Sequence, residues 1–144
     1  MALLDIDATT PHSLTGSIVS IPEYRISTCG KFAKYVIKVS IEPYSWTVER
    51  RYRDFAAFDE QRFKDRNKSF LPPKKFVRNM DPEFLCERRM ELEKYIQAVM
   101  ELELWLLKKR QQHALSKLLA YFLDFQEYVG FFTILVFKFL GSKV

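Results

Sequence analysis

The sequence predicts an α+β fold, in which a three-stranded antiparallel sheet packs against a helical subdomain. Two observations support this class. Residues 17–52 carry the period-two pattern of strands, and from residue 54 the apolar side chains follow helical spacing. A chain of 144 residues that is 48% hydrophobic is long and apolar enough to bury the core of one domain.

Three strands are expected, at residues 17–26, 32–42 and 46–52. Short connections join them, and "STCGK", which contains Gly30, suits a hairpin loop. We therefore expect an antiparallel meander. In the second strand the side chains expected on the core face are Tyr35, Ile37, Val39 and Ile41, alternating with Val36, Lys38, Ser40 and Glu42.

Helices are expected after the sheet. The first begins near Asp54 and runs to about residue 66, until "NKSFLPPKKF" forces an extended path. Asp81 and Pro82 mark the start of a long second helix, and a third is expected at 115–125. The first helix would bury Phe55, Phe58 and Phe63, and the second a stripe of Leu85, Leu92, Ile96, Val99 and Leu106.

The two ends differ in composition from the predicted domain at 17–128. Residues 1–16 have no basic n-region and are interpreted as a flexible lead-in rather than a secretory signal. Residues 129–144 form an apolar tail, whose run 129–137 has about half of the ~20 residues that span a bilayer. We interpret the tail as a buried helix or strand rather than an anchor, or as a segment whose continuation is missing.

Catalysis has little support in the sequence. His12 and His113 stand outside any catalytic motif, and the four glycines are scattered rather than gathered in a phosphate-binding loop. Cys29 and Cys86 lack metal-ligand spacing and are expected to be reduced thiols. The sequence predicts a non-enzyme, without a metal or other cofactor.

Positive charge is concentrated in one segment. Residues 50–89 hold 12 Lys/Arg and 7 Asp/Glu, whereas the rest of the chain holds 11 of each, so the whole net charge of +5 lies in 40 residues. Such a segment attracts phosphate-bearing partners, either nucleic acid or an anionic membrane. Nucleic acid is disfavoured because aromatic residues do not interleave the basic ones and no nucleic-acid motif is present.

Three basic motifs fall in or beside this segment: "RRYRDF", "LPPKK" and "CERRMELEKY". In this order the chain resembles the phox-homology (PX) domain, a phosphoinositide-binding module. That family has an R-[RK]-[YF]-x-[DE]-F junction between strand and helix, an L-P-x-K loop and a downstream helix arginine. The resemblance covers about residues 17–128 and implies three strands, a helix, a proline-rich loop and further helices.

The resemblance also implies a lipid site. Arg51 would bind the 3-phosphate, since a guanidinium matches phosphate oxygens in a bidentate way. Tyr52 would lie flat under the inositol ring, and Lys74, or the adjacent Lys75, would meet the phosphodiester. Arg88 would hydrogen-bond the ring hydroxyls and favour a headgroup unsubstituted at positions 4 and 5. In a regular strand Arg51 and Tyr52 point to opposite faces, so both reach one ligand only if the strand ends there.

Neighbouring residues are given lesser roles. Phe76 and Val77 would insert into the bilayer interface, as this loop does in the resembled family, although Phe76 could instead pack on the domain. Arg50 and Arg53 are interpreted either as contributors to the positive electrostatic field at the site or as partners in structural ion pairs. Phe55 is interpreted as a core residue.

Two functions remain after these exclusions. The first is a module that binds phosphatidylinositol 3-phosphate and recruits its protein to endosomal membranes, cytoplasmic and peripheral on an anionic surface. The second is a protein–protein interaction module of the same fold with weak or no lipid binding, in which "LPPKK", the Leu-rich helix or the tail docks protein partners.

Overall fold

A computed structural model of the chain describes residues 18–41, 44–64, 70–74, 80–109 and 116–125. Within them the sheet has the order β1-β2-β3, and both neighbouring pairs are antiparallel. This confirms the predicted meander and the α+β class. The elements are β1 (Val19–Ile26), β2 (Ala33–Ile41), β3 (Tyr44–Arg51), α1 (Tyr52–Arg62), α2 (Pro82–Lys108) and α3 (Lys117–Phe122).

The sheet buries the face that the alternation of β2 predicts. Its inward side chains, Tyr35, Ile37, Val39 and Ile41, are at most 2% exposed. Val36 on the opposite face is buried as well, which departs from strict alternation, whereas Lys38 is exposed.

The long helix α2 is tied to the edge strand β1 by side chains. The β1–β2 register shifts between Ser20 and Glu23, and Ile21 lies in this irregularity. Glu93 accepts a hydrogen bond from the Ile21 N–H at 2.8 Å, and Arg89 donates to the Ile21 carbonyl. The helix thus satisfies backbone groups that a buried strand edge would otherwise leave without partners.

Large side chains from α1, α2 and α3 complete the core. Phe55 is fully buried, which confirms its predicted core role, and Phe58 is 5% exposed. Phe55 and Phe58 both contact the Phe122 ring of α3, with centroids 5.0 Å apart. Phe63 is half-buried. The predicted stripe on α2 is confirmed except near its end, where Leu107 is buried and Leu106 only half-buried.

Two helix starts agree with simple capping rules. The Asp81 carboxylate accepts from the Phe84 N–H at 3.3 Å, with Pro82 at the first helical position, as predicted. Ser116 caps α3 by accepting from the Leu119 N–H. The third helix is shorter than predicted, because Ser116 precedes its first turn and Asp124 adopts a left-handed φ of 60° after its end.

The first helix also differs from its predicted bounds. It begins at Tyr52, two residues early, because the Asp54 carboxylate accepts the Arg51 N–H and so stabilises a first turn at this point. It ends at Arg62, and Phe63 has left the helical conformation with φ −122° and ψ 38°.

A buried ion pair connects the three helices. Glu103 of α2 is fully buried and accepts from Arg62 of α1 at 2.8 Å and from the Ser116 N–H at 3.1 Å. Because both carboxylate oxygens have donors, the buried charge is compensated. Cys29 and Cys86 are both exposed. The predicted lead-in and apolar tail lie outside the described residues.

Candidate functional site

The strand β3 ends and the helix α1 begins between Arg51 and Tyr52. Arg51 is the last residue of β3 and the N-cap of α1, with extended φ and ψ of −88° and 165°. Its N–H donates to the Asp54 carboxylate at 2.7 Å. Strand β3 therefore ends at Arg51, which is the condition under which the Arg51 and Tyr52 side chains can contact the same ligand.

The Arg51 guanidinium lies against an aromatic ring. Its Cζ atom is 3.7 Å from the centroid of the Phe32 ring. Within the described part of the chain, no hydrogen bond or ion pair engages this guanidinium. The carboxylate of Glu49, two residues earlier on the same strand, is bound by Arg25 at 2.8 Å and lies 3.7 Å from Lys34 Nζ. Arg51 thus keeps its hydrogen-bond donors available for an anion.

Tyr52 and Arg88 hold the proline-rich loop from two different helices. The Tyr52 hydroxyl donates to the Pro72 carbonyl at 2.5 Å, and Arg88 Nη2 donates to the Pro73 carbonyl at 2.8 Å. The two side chains also contact each other, since Arg88 Cζ lies 4.2 Å from the Tyr52 ring centroid. Lys74, the next residue of the loop, is exposed. The three basic motifs of the sequence therefore meet at one place.

Arg88 is buried to an unusual degree for a charged residue. It is 5% exposed, and its Cζ also lies 4.9 Å from the Phe84 ring centroid. The buried Nε has no hydrogen-bond partner, and among the described residues no carboxylate pairs with the guanidinium. Burial of a cation without an acid is costly, and an anionic or hydroxyl-rich ligand would reduce that cost.

The environment of Tyr52 also affects its ionisation. Burial raises the pKa of the Tyr52 hydroxyl above its ordinary value; the Arg88 guanidinium opposes this and the Asp59 carboxylate adds to it. The phenol therefore stays protonated at neutral pH and remains a donor to Pro72.

The arginines next to Arg51 differ from it. Arg50 donates to the Phe122 carbonyl at 3.0 Å and to the Asp124 carboxylate at 3.1 Å. This confirms the structural ion-pair interpretation of Arg50, which fastens β3 to the C-terminal end of α3. Arg53 is exposed and has no ion pair among the described residues.

The structure describes part of the predicted site. Tyr52, Arg88 and the Lys74 loop are brought together, with Arg51 at the same junction. Lys75, Phe76 and Val77 lie outside the described residues. Sequence reasoning missed Phe32, since its contact depends on the register between β2 and β3. Its place as the first residue of the predicted second strand, at 32–42, was the signal that the sequence offered for it.

Comparisons with known proteins agree on the family to which this fold belongs. The family model of the PX domain matches residues 38–126. Sorting nexin MVP1 of Candida glabrata is 41% identical over 95 residues, covering 59% of this chain and 18% of that protein. The human kinesin-like protein KIF16B is 34% identical over 83 residues, covering 54% of this chain and 6% of that protein.

A solved structure shares the fold. The X-ray structure of a designed CISK-PX domain superposes with a TM-score of 0.54 at 28% identity, covering 73% of this chain and 96% of that one. The chain spans less than a fifth of the two curated relatives named above. In the parts of the chain that are described, no helix combines the length and hydrophobicity needed to cross a bilayer. The chain belongs to the PX domain family, whose members are generally non-catalytic modules that bind phosphoinositides at membranes.

Proposed function

We propose that this domain binds phosphatidylinositol 3-phosphate and recruits its protein to endosomal membranes. The observation that carries the proposal is the hydrogen bonding of Tyr52 and Arg88 to the adjacent carbonyls of Pro72 and Pro73. These bonds bring the loop of Lys74 to the junction where Arg51 keeps its donors available. A cationic site with an aromatic wall has the chemistry that a phosphorylated sugar requires.

Arg51 is assigned the 3-phosphate. A phosphomonoester carries about −1.5 to −2 charges at neutral pH, and a guanidinium can contact two of its oxygens at once. Arg50 does not compete for this role, because the Phe122 carbonyl and the Asp124 carboxylate already engage its guanidinium.

Tyr52 and Arg88 are assigned the inositol ring. Arg88 covers part of Tyr52, so the sugar would contact the part of the aromatic ring that Arg88 leaves accessible. The Arg88 guanidinium has five N–H donors, of which the Pro73 carbonyl engages one on Nη2, so others remain for the ring hydroxyls. A phosphate at position 4 or 5 would need more room beside this nearly buried side chain than a hydroxyl does, which is the reason for proposing a headgroup that is phosphorylated at position 3 alone.

Lys74 is assigned the phosphodiester that joins the headgroup to glycerol, with Lys75 as the alternative. Phe76 and Val77, which follow directly, are proposed to enter the bilayer interface. A buried side chain of this size contributes roughly 1.5–3 kcal/mol, and each nearby basic residue about 1 kcal/mol on an anionic leaflet. Headgroup recognition and insertion would then act together in one domain at 17–128.

A liposome panel tests the lipid assignment. Vesicles of phosphatidylcholine and phosphatidylserine, each with one phosphoinositide at equal mole fraction, are sedimented with the protein. We expect stronger binding to the 3-phosphate than to the 4-phosphate, the 5-phosphate or the 4,5-bisphosphate. Equal binding to all of them, or binding that follows only the total charge, would contradict the proposed recognition. Capture of a protein partner with no phosphoinositide preference would favour the interaction-module alternative.

A further inference from the structure

We infer that Phe32 is a positioning residue for the anion-binding guanidinium of Arg51. The inference rests on the proposed function and deepens it, since it assigns a role in the lipid site to the loop between β1 and β2. In the sheet, Lys34 of β2 is the direct partner of Arg51. Phe32 lies two residues before Lys34 and is therefore the diagonal neighbour of Arg51 on the same face. The 3.7 Å distance from Arg51 Cζ to the ring centroid agrees with this register.

The loop holds Phe32 by its backbone. The Ser27 N–H donates to the Phe32 carbonyl at 2.9 Å, and the Phe32 N–H donates to Ser27 Oγ at 3.3 Å. Gly30 has a φ of 73°, a conformation that suits glycine, and its N–H donates to the Ser27 carbonyl. Phe32 is thus fixed at both backbone polar groups, so its ring can serve as a support.

The support leaves the guanidinium chemically available. An aromatic face attracts a cation but does not consume N–H donors as a carboxylate would. The acid that could consume them, Glu49, is engaged by Arg25 and Lys34. Without the ring, Arg51 would either sample many rotamers or turn towards Glu49. Each of these would have to be reversed when a phosphate binds.

The test uses a soluble dibutanoyl form of phosphatidylinositol 3-phosphate in isothermal titration, so that no bilayer contributes. Without the ring, the Arg51 side chain must be ordered when the lipid binds, and this entropy loss weakens affinity. We expect Phe32→Leu, or Phe32→Met as a second variant, to bind the soluble lipid about twofold to about tenfold more weakly. Phe32→Tyr keeps the aromatic face and should restore affinity to within about twofold of the original chain. Tyr121→Leu removes a 70% exposed aromatic side chain on α3 and should leave affinity unchanged.

A comparison of Phe32→Leu in chains with and without Arg51 distinguishes a positioning role of Phe32 from a purely structural one. In an Arg51→Ala background the same Phe32→Leu change should alter residual binding by less than about twofold, since there is no guanidinium left to position. Equal losses in both backgrounds, or unchanged affinity of Phe32→Leu for the soluble lipid, would overturn the inference. A loss confined to vesicles would also overturn it and would assign Phe32 to the bilayer. If the original chain itself fails to bind the soluble lipid, the proposed function fails first, which is a distinguishable result.

Discussion

Replacing Arg50 by alanine should destabilise the domain more than replacing its neighbour Arg51. The Arg50 side chain donates to the Phe122 carbonyl, one of the last carbonyls of α3, and forms an ion pair with Asp124. A partly buried hydrogen bond from a charged donor is worth about 1 kcal/mol after solvent screening. The half-exposed ion pair contributes about 0.5 kcal/mol, and a cation at a helix C-terminus about 0.5 kcal/mol more. We therefore expect Arg50→Ala to lose about 2 kcal/mol of the free energy of unfolding.

Arg51→Ala provides the matched control, because it removes the same side chain one residue later. Its guanidinium stacks on the Phe32 ring and has no hydrogen bond or ion pair with the described residues, and such a stack is worth about 0.5–1 kcal/mol. Urea unfolding followed by far-UV circular dichroism measures both variants. A thermal scan with the same signal should show a Tm lower by on the order of 6–10 °C for Arg50→Ala. An equal loss in the two variants, or less than about 0.5 kcal/mol for Arg50→Ala, would refute the structural role of Arg50.

Three further predictions concern other contacts. Tyr52→Phe keeps the ring but loses the bond to the Pro72 carbonyl, and titration with the soluble lipid should show about threefold to tenfold weaker binding without loss of headgroup preference. Glu103→Ala leaves Arg62 without its buried partner and should cost about 3 kcal/mol in urea unfolding, whereas a cost below about 1 kcal/mol would contradict the pairing. Burial raises the pKa of the Tyr35 phenol in the folded protein to about 12. Below pH 10 the phenol is protonated in both the folded and the unfolded chain, so the free energy of unfolding is not reduced there; it falls as pH rises from 10 to 12, because only the unfolded chain then loses the proton. The decrease should reach about 2–3 kcal/mol and be smaller in Tyr35→Phe, as measured by urea unfolding across this range.

The sequence alone was sufficient for the fold class because its periodicities are strong and local. Alternation in β2 predicted the buried face of the sheet, and the Asp81–Pro82 pair predicted the start of α2 to the residue. The bounds of α1 and α3 were less accurate. They depend on single contacts, such as the Asp54 carboxylate on the Arg51 N–H, that compete with the periodic pattern.

The site was predictable in its motifs but not in its contacts. Resemblance to the family singled out Tyr52 and Arg88, yet neither the motifs nor their spacing indicated that both donate to the loop prolines. The burial of Arg88 was equally hidden, because an arginine on a charged helix is usually solvated. The stack of Arg51 on Phe32 depends on the register between β2 and β3, and a single amino-acid sequence does not specify that register.

Vesicle sedimentation of Arg51→Ala is the sharpest test of the proposed contact between Arg51 and the 3-phosphate. Lys117→Ala is the charge-matched control, since it removes one exposed cation from α3, which carries none of the proposed lipid-binding residues. Losing a phosphate-paired guanidinium should cost ~2–5 kcal/mol, so Arg51→Ala should bind vesicles containing phosphatidylinositol 3-phosphate at least tenfold more weakly. Lys117→Ala should lose no more than about 1 kcal/mol. Binding by Arg51→Ala that still depends on the 3-phosphate and matches that of Lys117→Ala would contradict the account.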